Sequence, residues 1–245
     1  METTCKNCNT QFAGNYCNNC GQSAKVHRVD FHFLMEDIEH GILHYDKGIG
    51  YSLRRLFRKP GAEIRNYMAG KRVGHFRPLS LSIILATVYA LIYHLADVKI
   101  TGSTDSEALL HLKRVMKYYS WYVLFTIPVF AFATKTAFKV KSLNFAELII
   151  FEAFKSSQRL VVHILFLPVF YLLSANPGFI SVANYILITL DFMLILWTNS
   201  QFFNHIKLSH VALKSFFAYA IHTLVIMVFL IIIILAGNYL SVTII

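Results

Sequence analysis

Residues 48–78 read GIGYSLRRLFRKPGAEIRNYMAGKRVGHFRP. The stretch is dense in arginine and lysine, Glu63 alone opposes them, and it divides the chain into two unlike parts. Upstream the sequence is polar and holds every cysteine; downstream it is a succession of long apolar runs. Tyr51, Leu53, Leu56 and Phe57 alternate with Arg54, Arg55, Arg58 and Lys59, which predicts a short basic amphipathic helix stopped by Pro60-Gly61. A second short helix from Ala62 to about Met68 follows, then Lys71, Arg72 and Arg77. Such segments lie in a membrane interface, apolar side down, with their cations reaching lipid phosphates. On this reading Arg54, Arg55, Arg58, Lys59, Lys71, Arg72 and Arg77 form a membrane-surface band, each charge worth roughly 1 kcal/mol against an anionic leaflet.

The apolar runs downstream carry the fold class. The 245 residues are 56% hydrophobic and 15% charged, against about 45–50% and about 25% in a soluble domain. A spanning helix needs about 20 mainly apolar residues. Five stretches qualify: 79–96, 118–134, 144–174, 179–198 and 213–236. The expected fold is therefore mainly α, a polytopic helical membrane protein with about five spans, a small N-terminal zinc ribbon and interfacial amphipathic helices. The third run is long enough to start as an amphipathic surface helix and enter lipid near Leu160. Asn176-Pro177-Gly178 reads as a turn, and SEALLHLKRVMKYY, in and just beyond the outer loop from Asp97 to Lys117, reads as a helix resting on the far leaflet. With the N-terminal part inside, seventeen Lys and Arg fall on the inner side and four on the outer, leaving Lys155 and Arg159 uncounted. That asymmetry predicts a cytoplasmic N-terminus, an outer C-terminus and residence in the cytoplasmic (inner) membrane. The net charge of +10 therefore points first to a bilayer with anionic lipids, and nucleic acid is the less favoured partner.

Cys5-Lys-Asn-Cys8 and Cys17-Asn-Asn-Cys20-Gly21 form two C-x2-C pairs. Residues 1–22 are polar with no apolar core, the pattern expected of a chain without a cleaved signal sequence, so the cysteines begin in a reducing compartment. Two knuckles of this spacing supply four thiolates for tetrahedral structural zinc, and Gly21 suits a turn needing positive φ. About twenty residues cannot bury a core, so Zn2+ supplies folding energy to a ribbon of two hairpins over residues 1–24. The ribbon is either a folded cap or a docking site for a protein partner.

Asp30–Asp46 (DFHFLMEDIEHGILHYD) reads as a helix capped by Asp30. Phe31, Leu34, Met35, Ile38, Ile42 and Tyr45 make an apolar stripe. His32, Glu36, His40 and His44 recur every four residues on the other side, either a second metal site or a wet helix face. Residues 25–78 as a whole form the basic juxtamembrane region, and 79–245 the helical membrane domain.

The C-x2-C…C-x2-C-G-Q ribbon and the run G-x-G-x-S-x-R-x-L-x-R-K-P-G…Y-M-A-G-K-R…P resemble a bacterial family of zinc-ribbon, multi-pass membrane proteins of unknown function. The matching positions are Cys5, Cys8, Cys17, Cys20, Gly21, Gln22, Gly48, Leu56, Pro60, Gly61, Tyr67, Gly70, Lys71, Arg72 and Pro78. The resemblance covers about the first eighty residues, and it implies a metal-bound head on a membrane protein without an assigned activity.

Within the apolar zone, Asp191 lies near the middle of the fourth run, where a carboxylate costs about 2.5–3.5 kcal/mol on insertion scales. Glu152, Lys155 and Arg159 share one helical face on the third run, and His163 continues it. Glu152, Arg159, His163 and Asp191 are thus either an intramembrane polar site or structural pairs. Three functions follow: a non-enzymatic adaptor or assembly module at the inner leaflet, which is favoured; a small transporter or channel using Asp191 and the Glu152/Arg159 cluster; and a membrane-surface metalloenzyme using His32, Glu36, His40 and His44.

Overall fold

Proline and glycine set the first joints of the structure. The computed structural model describes residues 2–43, 48–95, 119–173 and 177–243. Among these the chain forms β1 (Glu2–Thr4), β2 (Gln11–Ala13), α1 (Phe31–Leu43), α2 (Ile49–Leu56), α3 (Pro60–Met68), α4 (Pro78–Leu95), α5 (Tyr119–Phe138), α6 (Phe145–Leu173), α7 (Pro177–Phe202) and α8 (Leu208–Thr243). Five of the helices, α4 to α8, are long and apolar enough to cross a membrane. The mainly helical fold expected from the sequence is what the chain adopts, with four clustered cysteines at its N-terminal end.

Several boundaries differ from the sequence reading. α5 continues to Phe138, and α8 begins at Leu208, so 199–214 is divided between the end of α7, a short loop and the start of α8. Pro177 opens α7, as a first-turn proline can because its missing N–H would have no helical partner there. Residues 174–176 and the loop from Asp97 to Lys117 lie outside the described residues.

α6 is the axis of the bundle, touching α4, α5 and α7 along its length and α2 and α3 at its start. From Ala146 to Leu160 only Ile149 is even half-exposed. The expected surface helix is therefore an interior one, because α4, α5 and α7 pack around it and α2 and α3 add further contacts. Exposed apolar side chains on α6 begin at Leu165. α5 and α8 run antiparallel, with Phe125 on Phe229 at 5.1 Å between ring centroids and Phe130 on His222 at 3.5 Å.

α2 and α3 turn their apolar faces to protein. Leu56, Ile64 and Tyr67 are buried, while Arg54, Arg58 and Lys59 remain outside. Pro60 opens α3 rather than merely ending α2, and Gly61 meets the backbone of Gln201 and Phe202 so closely that no Cβ would fit. Arg65 Nη1 then donates to the carbonyls of Gln201 and Phe202, capping the last turn of α7. The Pro-Gly-x-x-x-Arg spacing is a joint between two helices.

α1 is capped as expected, the Phe33 N–H donating to Asp30 Oδ1 at 2.8 Å. Its buried side differs from the apolar stripe: Leu34 is buried, but Phe31 and Met35 are 63% and 66% exposed. The core position is taken by Asp37, 0% exposed. Its carboxylate accepts the Leu79 N–H at 3.3 Å and the Ser80 hydroxyl at 3.1 Å, at the first turn of α4. An acid here satisfies donors that have no helical partner and meets the positive end of the helix dipole.

Burial pushes the Asp37 carboxyl up to about 6 against the pull of the Leu79 and Ser80 donors. A folded-state value above the unfolded one (about 3.9) means that the folded chain holds the proton longer. The contribution is then complete below pH ~4 and is lost as pH rises towards 6 and beyond, on the order of 3 kcal/mol. Asp37→Asn is expected to leave the thermal unfolding midpoint in detergent unchanged near pH 4 and to raise it at pH 7. A lower midpoint at pH 7 would show that the carboxylate is net stabilising.

Candidate metal centre and buried polar core

The N-terminal turns repeat one pattern twice. β1 and β2 pair antiparallel with Thr3 opposite Phe12, and Tyr16 bridges to Ser23 in the second turn. In the first knuckle the Cys5 N–H donates to the Thr10 carbonyl and Asn9 N–H to the Cys5 carbonyl, both at 2.9 Å. In the second, Cys17 N–H donates to the Gln22 carbonyl and Gly21 N–H to the Cys17 carbonyl, both at 2.8 Å. Asn9 (φ +61°) and Gly21 (φ +75°) hold equivalent left-handed positions just after Cys8 and Cys20. Asparagine is among the few non-glycine residues at home there, so Asn9 does what Gly21 was expected to do.

These turns bring all four sulfurs within 4.8 Å of one another, a group able to hold a metal ion. Cys5 and Cys20 Sγ are 3.5 Å apart, Cys8 and Cys17 Sγ 3.6 Å. The edge of a tetrahedron with metal–sulfur distances of about 2.3 Å is about 3.8 Å, so the donor set fits a tetrahedral thiolate-bound ion and leaves no disulfide. Without a cation two of the thiols are pushed in opposite directions. The Thr10 hydroxyl and backbone bring Cys8 down to about 6. For Cys20, the opposing Gln22 N–H is outweighed by burial and the neighbouring thiols, and the value rises to about 11. A divalent metal ion relieves that competition by binding all four sulfurs as thiolates and offsetting part of their charge.

The sulfur cluster is anchored to the collar. Gln22 is buried; its Nε2 donates to the Gly70 carbonyl at 2.8 Å and its Oε1 accepts the Arg72 N–H at 3.1 Å. Gly70 (φ +98°) sits against Lys6 and Val26. Arg72 is turned inward, donating to the His27 carbonyl at 2.9 Å and lying over the Phe33 ring at 4.4 Å. Arg28 grips Glu147 with two bonds of 2.7 Å, and Asn144 Nδ2 donates to the Val29 carbonyl at 2.8 Å, so the strand after the knuckles is strapped to the start of α6. Arg55 pairs with Glu63 at 3.0 Å, and Arg77 donates to the Glu36 carbonyl at 2.8 Å. Of the predicted surface band, Arg54, Arg58, Lys59 and Lys71 are exposed; Arg55 is exposed but paired, and Arg72 and Arg77 serve the head itself.

On α1, His32 Nδ1 and Glu36 Oε1 lie 3.5 Å apart on the exposed face. The His40 side chain and His44 fall outside the described residues. Among the described residues, the four cysteines are the one group of three or more such ligands gathered for a metal.

The structure brings the predicted intramembrane residues together in two adjoining pairs. Asp191 Oδ2 lies 3.2 Å from Arg159 Nε and 3.1 Å from His163 Nε2. Glu152 Oε1 pairs with Lys155 Nζ at 2.9 Å and accepts the Thr134 hydroxyl at 2.7 Å. Lys155 and Arg159 also lie over the Phe130 ring, at 5.9 and 5.4 Å. His222 of α8 stacks on the other side of this group and is 4% exposed, with neither ring nitrogen hydrogen-bonded.

A model of a family described as a protein of unknown function (DUF3667) matches residues 46–90. No curated protein and no solved structure matches the chain. The matched stretch holds Gly61, Arg65, Gly70 and Arg72, the residues that join the collar to α7 and to the cysteine knuckles.

Sequence reasoning missed Arg28, Asp37, Gln158 and the joint made by Gly61 and Arg65. Gln158 spans α2 and α7, its Nε2 donating to the Leu56 carbonyl at 3.0 Å and its Oε1 accepting the Thr198 hydroxyl at 2.9 Å. A glutamine beside Ser156 and Ser157 within a long, mainly apolar run was the available signal. Elemental analysis of the purified full chain is expected to give one tightly bound metal ion, lost in Cys8→Ser/Cys20→Ser. The ion is retained in His32→Ala/His40→Ala/His44→Ala; a second ion that this triple variant loses would overturn the single-site assignment.

Proposed function

We propose that the chain is a non-enzymatic integral membrane protein whose cytoplasmic, zinc-bound ribbon (residues 1–24) serves as an adaptor or assembly module at the inner leaflet. The observation that carries this reading is the combination of a closed four-thiolate site with a rigid mounting through Gln22 and Arg28. Four thiolates leave a zinc ion no open position for substrate. A head clamped by Gln22 to Gly70 and Arg72, and by Arg28 to Glu147, keeps a fixed orientation over the bundle. Its outward surface carries Tyr16, 68% exposed, among asparagines, and an exposed aromatic on a rigid support suits a protein partner. Residues 25–78 link this head to the membrane domain of 79–245, and the lysine and arginine balance supports a cytoplasmic head and an outer C-terminus.

Affinity capture from detergent extracts tests the docking role. Tyr16→Ala, which leaves the cysteines and Gln22 in place, is expected to lose partners that the parent retains while keeping its metal. Identical partner sets from parent and variant would contradict docking through this face.

A second reading, a small transporter or channel, is favoured by the meeting of Asp191, Arg159 and His163 beside the unbonded His222. Ionisable side chains within a bundle mark ion or proton routes more often than chance. Proton and monovalent-cation flux in vesicles compares the parent with Asp191→Asn. A flux above that of empty vesicles, changed severalfold by the substitution, supports it; a parent indistinguishable from empty vesicles removes it.

A further inference from the structure

At the head-side end of the bundle, α3 and the loops 139–144 and 203–207 enclose a cleft of about 660 Å3. Arg65, Lys139, Lys141 and His205 line it, and no acidic residue does. Its inner wall is aromatic, built on Phe138 and Phe203, which stack at 4.3 Å between centroids. Lys139 and Lys141 are exposed and form no ion pair among the described residues. Lys139 adopts φ +51°, a left-handed conformation that a lysine rarely takes. Arg54, Arg58, Lys59 and Lys71 of the collar are likewise exposed without an ion pair among the described residues, but at the cleft the unpaired cations stand around an enclosed, aromatic-lined space.

We infer that this cleft binds the phosphate head group of an anionic phospholipid. Cations without acidic partners over an aromatic wall suit a ligand that is a phosphate anion at one end and hydrocarbon at the other. The position of the cleft argues for lipid as the source. The exposed apolar belt of α8 starts at Leu208 and continues through Leu213, Phe216 and Phe217, directly after the 203–207 loop. A bilayer covering that belt places its phosphate layer at the height of the cleft mouth. The site is distinct from the collar cations Arg54 and Arg58, which lie on α2 and after it. The inference rests on reading α4 to α8 as membrane spans.

The test uses the full-length chain in detergent, with lipid binding followed by native mass spectrometry. Phosphatidylglycerol and phosphatidylcholine are the probes, and soluble glycerol 1-phosphate is the competitor. Lys139→Gln/Lys141→Gln is compared with Arg54→Gln/Arg58→Gln, which removes the same charge from the collar. Arg65 is left intact because it caps α7. The expected result is one retained phosphatidylglycerol, with affinity falling at least about tenfold in the cleft variant and less than about twofold in the collar variant. Phosphatidylcholine binding stays equal in all three. Equal losses in the two double variants, or no loss in the cleft variant, would overturn the site. Competition by glycerol 1-phosphate at concentrations matching the lipid would overturn the lipid assignment in favour of a soluble phosphate. A chain that stays monodisperse after detergent removal would instead fail the membrane reading itself, whatever the two variants do.

Discussion

Over its first four turns α6 carries Glu147, Glu152, Lys155, Ser157, Gln158 and Arg159 into a place where water does not reach them. Buried polar and charged groups are costly unless each finds a partner. The rest of the molecule is arranged to supply those partners: α2, α4, α5, α7 and the segment before α1 each contribute one. The strand after the knuckles gives Arg28 to Glu147, and α5 gives Thr134 to Glu152. α4 gives Ser82, whose hydroxyl lies 3.0 Å from that of Ser157 and donates to the Ala153 carbonyl at 2.8 Å. α2 and α7 share Gln158, and α7 adds Asp191 for Arg159. Apolar contacts would let these helices slide; a row of directional partners along one helix selects a single register. The polar row thus specifies the packing, whatever its net contribution to stability.

The same row explains why the head is rigid. A cysteine-knuckle module of some twenty residues would swing freely on an unstructured tether. Here the tether itself is bonded at Arg28 and Val29 to the start of α6, and the module is bonded at Gln22 to the collar turn. The collar is in turn locked to α7 through Gly61 and Arg65. Knuckles, collar and bundle therefore form a continuous chain of contacts, so a partner docking on the knuckles would feel the state of the helices. Loss of Arg28 or Gln22 would break that chain without touching a metal ligand.

The spans and the cysteine site were legible in the sequence because their signals are local. Four thiols at knuckle spacing, and apolar runs long enough to span, are properties of short stretches. What was not legible depends on contacts between distant residues. The start of α6 read as a surface helix entering lipid near Leu160, because charge on a helix usually marks solvent. The burial of its charged side chains follows from partners far off in the chain: Arg28 meets Glu147, Phe130 of α5 lies against Lys155 and Arg159, and Asp191 of α7 pairs with Arg159. The inward side of α1 is rotated from the predicted stripe for the same reason: Leu34 and Ile38 pack inward, but Phe31 and Met35 do not. Phe31 and Met35 are more apolar than Asp37, but the first turn of α4 needs an acceptor, and that requirement decides the rotation of the helix. Arg72, read as a lipid contact, is drawn inward by Phe33 and the His27 carbonyl.

The first half of α6 is interior, enclosed by protein. Hydrogen–deuterium exchange of the full chain in detergent, read over the amides of Leu148–Leu160, tests this most directly. These amides are expected to exchange as slowly as those in the middle of α4 and α7, over hours. Exchange within minutes, at the rate of an exposed helix on a membrane surface, would contradict it.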